Sequence, residues 1–288
     1  MIPAQFDYVA PATLAEALSQ LSQHPDEAKI LAGGHSLIPA MKLRLAQPQI
    51  LIDIGRIKDL AYIRSEEGEV RIGAMTTHYQ IESSDELKKI CPLLPDCASH
   101  IGDVQVRNKG TIGGSLAHAD PAADWPAAVI ALGATLIAVS AQGERTIKAD
   151  DFFTDLFTTA LEPGEILREI RIGIPSEPAG QAYAKMHHPA SGFAVVGAAA
   201  SLNRSPDGTC QSASIGVTGV GSTAYRAVAV QEALIGKALN ADAIAAAAAQ
   251  ACDGIDVNSD LFASTEYRRH LAAVYVRRAI EKAATLAK

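Results

Sequence analysis

The chain has 288 residues, of which 48% are hydrophobic and 20% charged. That is enough apolar material for about two packed domains and too little excess charge for a disordered chain. A formal net charge of −7, with no block of Lys and Arg, speaks against a broad nucleic-acid surface. No apolar run reaches the ~20 residues of a bilayer-spanning helix, and the N-terminus lacks the basic-then-apolar pattern of a signal peptide.

The first predicted element is a helix after Thr13. Thr13 and Glu16 fit a capping box, and Leu14, Ala17, Leu18 and Leu21 recur at helical spacing. A short apolar strand over 29–32 runs straight into Gly33-Gly34-His35-Ser36, and further strands are expected at 50–54 and 70–74. Residues 77–102 read as helical, interrupted at Pro92 and Pro95. A second glycine turn, Gly110-Thr111-Ile112-Gly113-Gly114-Ser115, follows, and Asp120-Pro121 is read as a helix start leading into 127–132. A hairpin is expected over 134–148 and a strand over 166–174. Residues 175–180, Pro-Ser-Glu-Pro-Ala-Gly, are the best linker candidate. Beyond them strands at 182–186, 193–202 and 213–217 precede Ala-rich helices at 226–235, 240–252 and 264–285. This divides the chain into 1–177 and 178–288.

The four cysteines, Cys91, Cys97, Cys210 and Cys252, form neither a disulfide framework nor a C-x-x-C pair. They read as small buried hydrophobes. Iron–sulfur clusters, where they take part, must sit on a partner, because cluster-binding spacings are absent here. No metal site is expected on the chain itself.

Each glycine turn pairs a Gly-Gly step with small hydroxyl residues. Glycines let successive backbone N–H groups converge on one point, which suits a phosphate or pyrophosphate. Ser36, Thr111 and Ser115 can add side-chain hydrogen bonds. Neither turn is a Walker A loop or a G-x-G-x-x-G turn. Taken alone, each is explained as well by a tight turn as by a ligand.

The surroundings carry more. The stretches Leu31-Ala32-Gly33-Gly34-His35-Ser36-Leu37-Ile38-Pro39 and Gly110-Thr111-Ile112-Gly113-Gly114-Ser115-Leu116-Ala117-His118-Ala119-Asp120-Pro121 resemble the two flavin motifs of the FAD-binding medium subunits of molybdenum hydroxylases. The likeness is to the carbon monoxide dehydrogenase type, and the FAD segment of xanthine dehydrogenase is a wider relative. Ile72-Gly73-Ala74-Met75-Thr76-Thr77 and Leu161-Glu162-Pro163-Gly164-Glu165 also match, and the resemblance covers nearly the whole chain.

The resemblance implies an α+β fold. A two-part FAD-binding domain of the vanillyl-alcohol-oxidase/PCMH type would be followed by a small domain with a three-stranded antiparallel sheet and helices. It implies that Ala32, Gly33, Gly34, His35 and Ser36, flanked by Ile30, Leu31 and Leu37, wrap the FAD pyrophosphate. Thr111, Gly114 and Ser115 would form the other wall. Ala117, His118 and Asp120 would line the flavin or ribityl side, and Asp124 would accept from the ribose hydroxyls. Ile101 and Gly102 would flank the adenine, Leu167 would make an apolar contact, and Lys185 and Phe193 would lie near the flavin ring. Trp125 reads as packing. Phe193 stands where the family usually carries a tyrosine, and 187–192 is less basic than the family pattern.

The implied function is electron transfer by an FAD subunit, with no acid–base chemistry on the organic substrate. A large subunit would hold a molybdenum–pterin cofactor and a small subunit two 2Fe–2S clusters, assembled as a dimer of heterotrimers. An external acceptor (quinone, NAD or oxygen) would take the electrons. The expected location is cytoplasmic, including the inner face of the membrane. Two other readings stay open at this point: a stand-alone flavoprotein oxidoreductase of the same fold, and a nucleotide-binding module with no redox role.

Overall fold

A computed structural model describes residues 1–175, 177 and 179–287. Ser176 and Pro178 of the expected linker lie outside the described residues.

Three sheets organise the chain. The first is parallel, with Ile50–Asp53 between Asp7–Val9 and Ala28–Leu31. Its cross-connections require the helices Leu14–Gln23 and Leu37–Lys42. The Thr13 hydroxyl accepts from the Glu16 N–H, and the Glu16 carboxylate accepts from the Ala12 N–H at 2.8 Å, so the reciprocal cap reaches one residue further back than expected.

The second sheet is antiparallel, in the order Ile63–Glu66, Glu69–Gly73, Ile166–Gly173, Thr135–Ser140 and Gly143–Lys148. Three short helices, His78–Ser83, Asp85–Ile90 and Leu93–Ser99, precede the second glycine turn. The break falls at Cys91-Pro92, and Pro95 lies inside the third helix. Proline is tolerated in a first turn, where its missing N–H would have had no helical acceptor.

The third sheet is also antiparallel: Gly180–His187, Ala194–Arg204, Cys210–Thr218 and the two-residue strand Tyr225–Arg226. The last strand is one more than expected. Arg226 holds it in place by gripping Asp150 through two nitrogens and donating to the Ile130 carbonyl.

This third sheet is covered on both faces, which explains its long apolar runs. Ala182, Val196, Ala198, Ala200, Leu202, Ile215 and Val217 share one core with the 22-residue helix Thr265–Leu286. The other face carries small residues. A Cβ on Gly216 would stand 2.1 Å from the Ala127 carbonyl oxygen. The helix Trp125–Ala131 of the first unit therefore lies directly against the strand backbone. Tyr183 and Ala199 point to this side and join the core built around Trp125.

The helix expected from Asp120-Pro121 starts later, at Trp125. The carbonyls before it are committed elsewhere. Pro121 O accepts from the Gly219 N–H (2.7 Å) and Ala122 O from the Ala194 N–H (3.0 Å), both across the seam. The Thr218 hydroxyl reaches the Pro121 and Ala123 carbonyls at 2.8 Å. Asp120 instead accepts from the Ala122 N–H at 2.9 Å and closes a turn.

Trp125 is fully buried, as a packing residue should be. Its indole N–H donates to His78 Nδ1 at 3.0 Å. His78 also supports the second glycine turn, because its backbone N–H donates to the Gly110 carbonyl at 3.0 Å. Burial drives its imidazole pKa down to about 3. All four cysteines are free and buried, and burial pushes the Cys91 thiol up to about 12, so it is inert.

Gly216→Val should lower stability in chemical denaturation by about 1–3 kcal/mol or more, the cost of forcing atoms into a packed interface. Gly173→Ala should be close to neutral, because a Cβ there meets nothing within 4 Å. His78 binds a proton less readily folded than unfolded, so unfolding takes up protons between its unfolded pKa near 6.5 and about 3. Its contribution to stability is complete above pH 6.5 and is lost as the pH falls through that window, by up to about 1.4 kcal/mol per unit. His78→Gln, which keeps an acceptor for the indole, should flatten the acid limb of a stability–pH curve. An unchanged limb would exclude His78 as its source.

Candidate cofactor site

The two glycine turns meet. A Cβ on Gly33 would lie 2.2 Å from the Lys109 carbonyl oxygen and 2.8 Å from the Gly110 Cα. A Cβ on Gly114 would stand 3.3 Å from the Ala32 Cβ. Gly33 is therefore required for one turn to seat on the other.

The first turn is held from both sides by apolar anchors. Leu31 and Leu37 pack with Met41 and Leu51, and Ile30 packs on the core beneath the parallel sheet. Between these anchors the backbone is open. Gly34 takes a φ of +77°, which favours glycine. The backbone N–H groups of Gly33, Gly34, His35 and Ser36 have no protein acceptor among the described residues. The Ser36 hydroxyl makes no cap bond. His35 turns its Nδ1 to the Gly33 carbonyl at 3.0 Å and leaves the rest of its ring exposed. Consecutive uncommitted N–H groups on one tight turn form an anion-binding concavity.

The second turn is closed by comparison. The Ile112 N–H donates to Thr76 O (3.0 Å), Gly113 N–H to Ala74 O (2.9 Å) and Ser115 N–H to Thr111 O (3.0 Å). The Gly114 N–H donates to the Thr111 hydroxyl at 3.1 Å. The Gly114 N–H and the accepting Thr111 hydroxyl thus cap the helix Ile112–His118. The Thr111 backbone N–H and the Ser115 hydroxyl have no partner among the described residues. The second turn is a braced wall facing an open nest. The bracing segment 74–77 matched the family pattern in sequence, but its role was not legible there.

At seven residues, the helix Ile112–His118 spans roughly 10 Å. Ala117 and His118 therefore stand at the far end from Thr111, and His118 packs against Phe157 at 5.3 Å between ring centroids. Phe157 is half exposed and sits at φ +52°, a conformation rare for an aromatic residue. Nothing in the sequence pointed to it.

A second group of expected residues gathers at the seam between the two units. A Cβ on Gly192 would come within 3.9 Å of the Gly102 Cα, which brings the 187–193 loop and Phe193 next to Ile101 and Gly102. Phe193 is 42% exposed. Leu167 is buried in the main core.

Asp124 and Lys185 depart from expectation. The Lys185 side chain is 0% exposed and that of Asp124 5%. Lys185 Nζ donates to Asp124 Oδ2 at 2.8 Å and to the His100 carbonyl at 2.9 Å. The Tyr183 hydroxyl donates to Asp124 Oδ1 at 2.6 Å. Both Asp124 oxygens therefore have protein donors. Burial pushes the Asp124 carboxyl up and Lys185 pulls it back. Neither residue offers surface to ribose or flavin. In the structure they form a buried ion pair that joins the two units. Tyr183 was missed because a strand tyrosine gives no sequence signal of its partner.

Among the described residues no group of three or more His, Cys, Asp or Glu side chains is placed to hold a metal ion. None of the described helices is long and apolar enough to cross a membrane.

Comparison with known proteins fits this geometry. Residues 4–176 match the family described as the FAD binding domain in molybdopterin dehydrogenase, and 181–283 the CO dehydrogenase flavoprotein C-terminal domain. The chain is 41% identical to the carbon monoxide dehydrogenase medium chain of Afipia carboxidovorans, covering 100% of both. It is 38% identical to the 6-hydroxypseudooxynicotine dehydrogenase complex subunit alpha of Paenarthrobacter nicotinovorans, covering 98% of this chain and 96% of that one. In a structure of carbon monoxide dehydrogenase from Hydrogenophaga pseudoflava, a chain superposes with a TM-score of 0.97 at 42% identity and 100% coverage of both. The open nest of the first turn, the braced wall of the second and these matches place the chain in the family of FAD-binding medium subunits of molybdenum hydroxylase-type dehydrogenases.

Proposed function

We propose that the chain is the electron-transfer subunit of a molybdenum hydroxylase. In this reading it takes electrons from 2Fe–2S clusters on a small subunit and passes them to an external acceptor such as a quinone, NAD or oxygen. The observation that carries the cofactor placement is the run of uncommitted N–H groups from Gly33 to Ser36. They suit the negative oxygens of a diphosphate, and the close seat of Gly33 on Lys109 and Gly110 keeps the wall of the second turn beside them.

When bound, FAD supplies the two-electron redox chemistry. The chain supplies binding and orientation. The first turn and the Ser36 hydroxyl would hold the pyrophosphate, and Thr111 N–H and Ser115 would complete the cradle. Ala117, His118 and Asp120 would line the adjoining ribityl or flavin portion. Ile101 and Gly102, with Phe193 beside them, would bound the remaining side. We assign the two domains to 1–177 and 178–288. We place the molybdenum–pterin cofactor on a large subunit, and the assembly as a dimer of heterotrimers in the cytoplasm. The substrate is read as a property of the large subunit. Relatives named for carbon monoxide and for 6-hydroxypseudooxynicotine are similarly close to this chain.

Three measurements test this reading. The purified chain or complex should show flavin absorption bands and release FAD on denaturation, and a chain that takes up no added FAD would overturn the assignment. Gly33→Val should separate the two turns and weaken FAD by at least about tenfold in a binding titration, while Ser36→Ala should cost only about 1 kcal/mol, one hydrogen bond. Full FAD occupancy in Gly33→Val would place the cofactor elsewhere. In the assembled complex, stripping FAD should abolish reduction of the external acceptor and leave substrate reduction of the 2Fe–2S clusters intact. Acceptor reduction at an undiminished rate without FAD would remove the electron-transfer role.

A further inference from the structure

The polar groups at the seam have one segment in common. Residues 100–115 run from the C-terminal sheet to the first glycine turn. At one end the His100 carbonyl accepts from Lys185 and the Ile101 carbonyl from Arg107 at 3.1 Å, with Arg107 also paired to Glu82. At the other end Lys109 and Gly110 form the seat for Gly33. Between them lie Gly102, at φ +48°, and the four-residue helix Val104–Arg107.

Lys185 reaches this segment from the opposite unit. It sits on the strand Gly180–His187, opposite Gly197 in the sheet register. A Cβ on Gly197 would lie 2.2 Å from the Tyr183 hydroxyl, so glycine there leaves the room through which Tyr183 reaches Asp124. The neighbouring groups reinforce the same contact. The Tyr183 N–H donates to Asp96 at 2.7 Å, Asp96 takes Lys282 at 2.8 Å, and the His100 ring lies over that of His187 at 5.7 Å. Three polar groups meet at this contact: one ammonium, one carboxylate and one backbone carbonyl. Removing the ammonium would leave the other two buried without their partner.

We propose that Lys185, with Asp124 as its fixed counter-charge, is a positioning residue. It holds the His100 carbonyl and thereby sets where the 100–115 segment places the wall of the cofactor site, without touching the cofactor. The proposal rests on the FAD reading for its consequence, since the segment it holds is the one that seats the first turn. It makes FAD affinity depend on a residue of the C-terminal unit that has no exposed side-chain surface.

The test uses the full chain and two variants. Lys185→Met removes the donor and isolates Asp124. The double variant Asp124→Asn with Lys185→Gln removes both charges and keeps an N–H donor for the His100 carbonyl. In hydrogen–deuterium exchange, peptides over 100–110 should exchange about tenfold faster or more in Lys185→Met, with the strand Ala28–Leu31 unchanged, and FAD should bind about tenfold more weakly. The double variant should bring both back to within about threefold of the parent chain. Its flavin midpoint potential should equal the parent's. Unchanged exchange over 100–110 in Lys185→Met would overturn the clamp. Should Lys185→Met not fold, the double variant decides: slow exchange and an unshifted potential support positioning. A shifted potential with normal FAD affinity would mean that the lysine charge acts on the flavin directly, which overturns it. Failure of the parent chain to take up FAD would defeat the cofactor reading, while the exchange comparison would still decide the clamp.

Discussion

A carboxylate enclosed away from water governs the seam between the two units. Lys185 and Tyr183 both donate to Asp124 there, and neither donor belongs to its own unit. A buried charge without such partners would cost several kcal/mol, so the seam can close over Asp124 only with Lys185 and Tyr183 in place. The rest of the seam follows from this constraint. The strand Gly180–His187 must lie close to residue 124, which requires small residues on that face of the sheet. Gly197 and Gly216 provide the space, and the helix Trp125–Ala131 packs directly onto the strand backbone. The turn before that helix then gives its carbonyls to Gly219, Thr218 and Ala194 instead of to a further helical turn.

The elements of the fold were largely legible because their signals are local. Hydrophobic alternation marks the long strands, and Thr13 with Glu16 marks a helix start. The failures share one cause. Asp120-Pro121 has every local mark of a helix start, yet the Pro121 carbonyl is taken by residues nearly a hundred positions away in sequence. Pro95 reads as a breaker, yet it sits in a first turn where proline does no harm. Tyr225–Arg226 is too short for any pattern and exists because Arg226 bonds to Asp150 and Ile130 across the seam. A single sequence holds no record of such partners.

The site was legible in a different way. Residue types and order identified the two glycine turns and, through resemblance, the cofactor. They did not distinguish the two turns by role. Both carry Gly-Gly and a hydroxyl, but one keeps its N–H groups free and the other closes them onto Thr76, Ala74 and Thr111. That difference depends on whether a neighbouring segment offers carbonyls, which spacing does not reveal. Asp124 and Lys185 illustrate the same limit from the other side. A motif match marks them as important but is silent on whether a charge faces a ligand or faces another charge.

The division of labour between the turns also bears on how such a subunit serves enzymes of different substrates. A diphosphate held mainly by backbone N–H groups is recognised through chain geometry, so side chains around it can change with little effect on the grip. What must be kept is the shape of the turn: glycine where Gly33 meets the Lys109 carbonyl, and a φ of +77° at Gly34. Backbone donors also carry no formal charge, so they bind an anion without adding a titratable group beside a redox centre. Asp124 and Lys185, two of the charges that the chain buries, are neutralised by each other. In the positioning role proposed above their work is mechanical, and the electrostatic field at the flavin is left to be set by residues that face it.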